Sequence, residues 1–403
     1  MRDSNPEFAH HFIETRLGFH DYVERTRNTD PNIVDKDQII VDINLTGINQ
    51  PADFNSFADI EREYDYLLDN LSENEPDRAV LLNKIQADRM LLRVLQGEEV
   101  SFDEFALSTI GLIPKMVPEE DITVMRNRVE LLLDQRGIDF TDSPDGKKKF
   151  QELLIIKDQA EIERLFKQAA TLSRLAVGRY VEISGSTISP EFLNDESLHW
   201  SGYVSTHQNG QLFMKFNTHP SRLYTPGRIK SLMFHEDGGH VVQLSEWKEA
   251  IDKGEVSPAA GLIAIHSPET THAEAVTAFA ETLIYEVAET DEEKWMADYQ
   301  TAYNLYQRAV THNSHLMINY GSTLEECVAY DMERLPFDDE AYHCSVLEAV
   351  RDLPTYRSGF AVYQPAYELI KPILSKENEE KQKAIQALYE RSLTPQQIGQ
   401  LVK

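Results

Sequence analysis

Between residues 57 and 180, apolar residues recur at i, i+3, i+4 and i+7 in one segment after another, the period of an amphipathic helix. "FADIEREYDYLLDNL" and "DRAVLLNKIQADRMLLRVLQG" make residues 57–97 helical, with Gly97 placed to end the second. "SFDEFALSTIG" opens on Ser101 and Glu104, the pair that makes a capping box. "EDITVMRNRVELLLDQRG" and "DQAEIERLFKQAATLSRLAVGRYVE" repeat the pattern, divided by the turn-rich "TDSPDGKKK". From about 180 to 225 the period shortens. "VEISGSTIS" and "WSGYVSTHQNGQLFMKFNTHP" are β-rich and turn-punctuated, and "QNGQ" is a hairpin signal. Helical texture then runs to the end. The pattern predicts a mainly α protein with one small β-sheet placed just before the segment "SLMFHEDGGHVVQL".

That segment carries candidate chemistry. The zinc-peptidase signature H-E-x-x-H sets two histidines one helical turn apart. Here His235 and His240 are five apart, with Glu236, Asp237, Gly238 and Gly239 between them. On a regular α-helix, residues four apart differ by roughly 40° around the axis and residues five apart by roughly 140°. The two imidazoles converge only if the helix widens, as in a π-type turn. Gly238 and Gly239 stand where that distortion must fall, although each costs roughly 1 kcal/mol in a helix interior. The alternative is a core helix that ends at Gly238, with His240 in a loop.

Downstream, "SPETTHAEAVTAFAETLIYE" forms a helix opened by Ser267 and Pro268. Glu274 and Glu281 share one of its faces, with His272 nearby. Glu274 follows His240 by 34 residues, room for a loop and a return helix, and its flanks Ala273, Ala275, Val276 and Ala278 suit a buried face. His235, His240 and Glu274 together make a His₂Glu set of the kind that leaves one coordination position open for water. The set calls for one Zn²⁺ per chain, with iron or manganese as other candidates. Glu236 adjoins a ligand and is placed to act as general base. Glu281 or Asp237 could orient a ligand imidazole from behind.

Composition changes the picture in three respects. A formal charge of −29 over 403 residues argues against nucleic acid and anionic membranes as partners. Two cysteines, Cys327 and Cys344, do not make a disulfide framework. The first residues lack an apolar leader core and no stretch approaches about 18 uninterrupted apolar residues, so the expectation is a cytoplasmic protein without a membrane span. His10, His11 and His20 fall in what reads as a polar tail and carry no chemistry.

"HAEAVTAFAETL" resembles the E-G-W-A-x-Y-x-E-x-L stretch of a bacterial zincin-like metallopeptidase family catalogued mainly as a domain of unknown function. In that family the metal helix reads H-E-x-x-P-G-H-H. The likeness extends over about residues 60 to 375, through "RVLQGEEVSFDEFALSTIGLIP", "GQLFMKFNTHP…RIKSLMFHE", "RAVTHNSHLMINYGSTLEECVAYDMERLPFDDEAY" and "LPTYRSGFAVYQPAYELI". This chain lacks the family's proline and its histidines are one residue closer. H-E-x-G-x-H is similar to the pattern of the microtubule-associated tyrosine carboxypeptidases, a related group with a glutamate as third ligand.

The resemblance implies an amino-terminal extension over 1–56, a helical domain over 57–180 and a zincin-like catalytic domain over 181–403. It also points to Tyr356 and Arg357, in a stretch that matches the family's tyrosine-lysine-x-glycine. With His312 and His315 of "RAVTHNSH", these are candidates to act on the substrate carbonyl. Tyr356 and His315 would act in catalysis, Arg357 and His312 in substrate binding. Arg308 could hold a substrate carboxylate with both its nitrogens; Asn217 and His219 are weaker candidates. The leading expectation is a metal-dependent peptidase or amidase acting on short peptides. A facial triad of non-haem iron is an alternative, although its ligands normally come from a β-barrel. A zincin fold kept as a catalytically dead binding module is another. Substrate identity and oligomeric state are not readable.

Overall fold

The computed structural model describes residues 6–26, 42–75, 77–141, 143–183, 187–196, 201–219 and 222–402. The histidines lie on one continuous rod. Thr225 caps it by accepting the Arg228 N–H, and Pro226 takes the first turn, where no amide donor is needed. The rod is α-helical over Pro226–Met233, π-helical over Phe234–Val241 and α-helical again over Val242–Asp252. Two apolar faces fix it. Ile229, Met233, Val241, Leu244 and Trp247 pack on the sheet residues Met214 and Phe216. On the other side Phe234 and Val242 meet Ala275, Val276 and Phe279 of the following helix.

The sheet precedes the rod. Strands β3 (Gly202–Thr206) and β4 (Leu212–Asn217) form the hairpin, with Tyr203 opposite Lys215 and Val204 opposite Met214. Gly210 turns it at φ +75°, a conformation glycine adopts without strain. Strand β2 (Glu191–Leu193) runs parallel to β4 on its far side. The structure adds a second sheet that the periodicity does not show: β1 (Ile43–Asn44) pairs antiparallel with β5 (Leu262–Ile263). Two-residue strands are too short to leave an alternation in the sequence.

Pro268–Thr282, the glutamate helix, is buried along nearly its whole length. Its alanines let neighbours approach closely. Beyond it the helix Tyr363–Leu374 contributes Ala366, Ile370 and Ile373 to the same core, and Asn378–Glu390 contributes Ile385, Leu388 and Tyr389. The longest helix, Asp291–Asn319, begins with a reciprocal Thr290–Glu293 capping box. It packs Trp295, Tyr299 and Tyr306 on Val129 and Leu132 of the helix Glu119–Asp134.

Three local readings change. The polar tail is a helix, Pro6–Thr26, whose Phe8, Phe12, Ile13, Phe19 and Val23 are buried. With Phe57–Asn70 and Arg78–Leu95 it forms a core around Phe12, Ile60, Tyr64 and Ile85. "TDSPDGKKK" contains a helix start, because Ser143 accepts the Gly146 N–H and Pro144 supplies the first turn of Pro144–Leu154. Ser101 does cap its helix, but Glu104 turns to Arg93 at 3.0 Å instead of completing the box.

A buried ionic cluster ties the amino-terminal layer to the glutamate helix. Arg16 binds Asp88 at 2.9 Å, and Asp88 also accepts from Tyr64 and His266, both at 2.9 Å. Beside it Lys84 pairs with Glu269 in the first turn of Pro268–Thr282. Among the described residues, no helix is long and apolar enough to cross a membrane.

Candidate metal centre

The π-helical turn brings two imidazoles together that an α-helix would separate. His235 and His240 stand with ring centroids 4.9 Å apart and planes at 87°. Val242 N–H reaches back to Asp237 O, the five-residue bond that defines the wider turn. The Gly238 carbonyl accepts from Tyr389 Oη at 2.9 Å.

The glycines serve close packing as well as the turn. A Cβ on Gly239 would lie 2.8 Å from Thr277 Cα, so only glycine lets the rod meet the glutamate helix here. At Gly238 the nearest atom would be Val177 Cγ2 at 3.3 Å, a tight but adjustable contact.

That approach delivers Glu274 to the histidines. Its Oε2 lies 3.6 Å from His235 Nε2 and its Oε1 3.6 Å from His240 Nε2. All three donor atoms fall within 4.8 Å of one another. Bonds of about 2 Å at a tetrahedral angle separate two donors by roughly 3.4 Å, comparable with the two 3.6 Å separations from Glu274. Thr277 Oγ1 donates to Glu274 Oε2 at 3.2 Å and steadies the carboxylate.

Glu281 stands behind the cluster. Its Oε1 contacts His235 Nδ1 at 2.8 Å, which directs Nε2 toward Glu274. Its Oε2 accepts from Arg308 at 3.1 Å and Asn304 at 3.3 Å. Burial opposes the Glu281 charge, but Arg308, His235 and Asn304 outweigh it and hold the pKa below the usual carboxylate value.

Burial also opposes a charge on His235, yet Glu274, Glu281 and Glu236 push its pKa up to about 9. His240, buried beside that charge, is held well below its ordinary value and offers a neutral nitrogen.

Glu236 is 5% exposed and has no hydrogen-bond partner among the described residues. Burial, aided by Glu274 and Asp42, pushes its pKa up to about 7 against the pull of His235. A carboxylate so placed has its lone pairs available for a proton.

Asp237 does not orient an imidazole. It is fully buried on the opposite side, accepting from Ser173 at 2.7 Å and Arg174 at 2.9 Å on the helix Gln159–Val177. Arg308 reaches the site, but as a support of Glu281. Tyr356 stacks on Phe360 at 5.3 Å. Arg357 donates to Val100 O at 3.2 Å and lies over Phe105. His315 bonds Phe360 O at 3.2 Å and His312 bonds Lys115 O at 2.9 Å. Burial lowers these two imidazoles to about 3 and about 4, so both are neutral core groups. Among the described residues, no hydrogen-bond partner of His312, His315 or Arg357 belongs to the cluster. Asn217 is buried and binds Asp195 O at 2.7 Å, and its Oδ1 accepts the His219 N–H at 3.2 Å.

Two residues near the site were not singled out from the sequence. Glu274, burial and Glu236 hold the Tyr363 phenol well above its usual pKa, so it stays protonated in their field. It sits seven residues beyond Tyr356, at the start of the helix that packs on the glutamate helix through Ala366. Its signal was the tyrosine one turn before that apolar stripe. Asp42, whose charge reaches Glu236, came from a stretch without a readable element; burial pushes its pKa up to about 6.

No family model and no curated protein matches this chain. Among solved structures it is similar to a protein of Colwellia psychrerythraea described as a "putative lipoprotein", with TM-score 0.56 and 12% identity, covering 85% of this chain and 59% of that one. The chain thus spans about three fifths of that protein's length. A Shewanella oneidensis protein described as a "putative lipoprotein of unknown function" is similar with TM-score 0.49 and 13% identity, covering 100% and 73%. The first likeness is one of fold.

Proposed function

We propose that the protein is a metal-dependent hydrolase, with zinc as the preferred ion, that cleaves the amide bond of a peptide or peptide-like substrate. The observation that carries this reading is the convergence of His235, His240 and Glu274 beside a buried carboxylate, Glu236, that has no hydrogen-bond partner among the described residues. The three donors hold the ion, and bound there it supplies the Lewis acidity that acidifies water and polarises a carbonyl.

The chain's own residues divide the remaining work. Glu281 keeps His235 Nε2 facing the other donors, with Arg308 and Asn304 keeping Glu281 in place. Glu236 takes a proton from the attacking water and gives it to the departing amine. Tyr363 donates its O–H to the negative charge that develops on the carbonyl oxygen. Burial of the whole set strengthens each of these interactions relative to water.

Purified protein loaded with Zn²⁺ and incubated with a mixed peptide library, read by mass spectrometry, tests the reading. New termini that vanish on adding a chelator and return with Zn²⁺ support it. No cleavage by protein shown to carry one ion per chain overturns it.

A further inference from the structure

Strand β1 is short but held from both sides. The Asp42 N–H donates to Ile263 O of β5 at 2.9 Å, and the Asp42 carbonyl accepts from Ser205 Oγ of β3 at 2.7 Å. Two residues on, the Asn44 N–H donates to Thr206 Oγ1 at 2.8 Å. Strand β5 is pinned in turn, since Leu262 O accepts from the buried Arg16 at 2.7 Å. Strand β3 packs against the π-helical turn that carries Glu236. The main chain at Asp42 is therefore fixed along the sheet that covers this turn.

We propose that Asp42 anchors a protonated amine carried by the substrate close to the scissile amide. The proposal rests on the hydrolase reading above and names the charge class of the substrate.

The Asp42 side chain is the one part of this arrangement left unanswered. Both its main-chain groups are bonded, yet among the described residues its carboxylate has no hydrogen-bond or ion-pair partner. It is partly buried, and its charge reaches Glu236 and the Tyr203 phenol. A carboxylate drawn out of water without a partner costs free energy that an incoming cation recovers. Glu236 is in the same condition, 5% exposed and without a hydrogen-bond partner among the described residues. Two such carboxylates in each other's field favour positive charge near both.

The other charges of the site are spoken for. An ion at His235, His240 and Glu274 would answer Glu274 and the neighbouring Glu236, and Arg308 answers Glu281 at 3.1 Å. Asp42 remains. The arginines that bond the glutamate helix and the histidine rod are likewise committed, Arg308 to Glu281 and Arg174 to Asp237 at 2.9 Å. Neither is open to a substrate carboxylate. The local field thus selects an ammonium over a carboxylate, and the formal charge of −29 acts in the same direction. An amino terminus and a lysine-like side chain present the same ammonium chemistry, and the choice of probes separates them.

Ligand-observed NMR titration of the metal-free protein tests the anchor without turnover. The probes are leucinamide, with a free α-amine, N-acetyllysinamide, with a side-chain amine alone, and N-acetylleucinamide, with neither. At least one amine should bind about tenfold or more tightly than the uncharged probe, the scale of one charge-assisted hydrogen bond. The tighter of the two identifies the source of the ammonium. Asp42→Asn keeps both main-chain bonds and should remove that preference while leaving Zn²⁺ affinity nearly unchanged; should it lose its fold by circular dichroism, Asp42→Ser carries the same comparison. Equal binding of the three probes by the parent overturns the proposal without any variant. A preference that survives in a folded Asp42 variant also overturns it, as does loss of Zn²⁺ binding there, which would make Asp42 part of the metal site. An Asp42-dependent preference without peptide cleavage by the zinc-loaded protein would sink the hydrolase reading and leave Asp42 as the anchor of an amine ligand. Cleavage indifferent to acetylation of the substrate's amines would keep the hydrolase reading and overturn this one.

Discussion

Glu281 contacts His235 Nδ1 at 2.8 Å with one oxygen and accepts from Arg308 at 3.1 Å with the other. The pair fixes which imidazole nitrogen faces Glu274, and so separates two glutamates that lie on one helix face. Seven residues are about two helical turns, roughly 10 Å along the axis, and only Glu274 comes level with both histidines.

Calorimetric titration with Zn²⁺ should show that division. Glu281→Gln should weaken binding 10–100-fold, the usual cost of losing a group that holds a ligand. Glu274→Ala should abolish tight binding. A reversed order would exchange their roles.

Tyr363→Phe should lower kcat by about 10²-fold or more, the cost of one donor to a developing oxyanion, and leave Zn²⁺ affinity unchanged. Tyr356→Phe should leave kcat within a factor of two, because its ring stacks on Phe360. Steady-state kinetics on any substrate found in the library distinguishes the two tyrosines.

Much of this geometry was legible beforehand. The five-residue spacing of His235 and His240 demanded a widened turn, because converging side chains and a regular helix are incompatible at that interval. The alanines around Glu274 marked a buried face. What stayed hidden depends on the approach of distant segments. Gly239 looks like a conformational choice until Thr277 is seen against it, and Asp237 looks like a site residue until Arg174 arrives from 63 positions away. Tyr363 and Tyr356 are indistinguishable as sequence. The amino-terminal helix was missed because histidines and Arg16 interrupt its apolar stripe, although Arg16 is buried against Asp88.

Gly239→Ala should destabilise the fold by about 1–3 kcal/mol, the cost of an overpacked core position. Gly238→Ala should cost less, since its nearest contact is the end of a valine side chain. Chemical denaturation of the two variants tests the order, and equal stabilities would show that the helices separate more easily than the contact distances imply.

His343 gives a pH dependence away from the metal centre. Burial opposes its charge, but Asp331 at 2.9 Å and Asp338 at 3.1 Å raise its pKa to about 9. A raised folded pKa stabilises fully below the unfolded value near 6.5 and loses that stabilisation as pH climbs through 9. The stability gap between the parent and His343→Gln should therefore be widest, about 3 kcal/mol, below pH 6.5 and should narrow between pH 6.5 and 9. A gap independent of pH would mean that the imidazole is not charged in the folded protein.

In the proposed mechanism an ion held by His235, His240 and Glu274 works with Glu236 as base. The most direct measurement pairs Zn²⁺ stoichiometry with turnover in Glu236→Gln. Glu236→Gln should bind one ion per chain, as the parent does, and hydrolyse about 10²–10⁴-fold more slowly, because a carboxamide cannot take the water's proton. A parent that binds no divalent ion, or a Glu236→Gln protein whose activity stays within a factor of two, would contradict it.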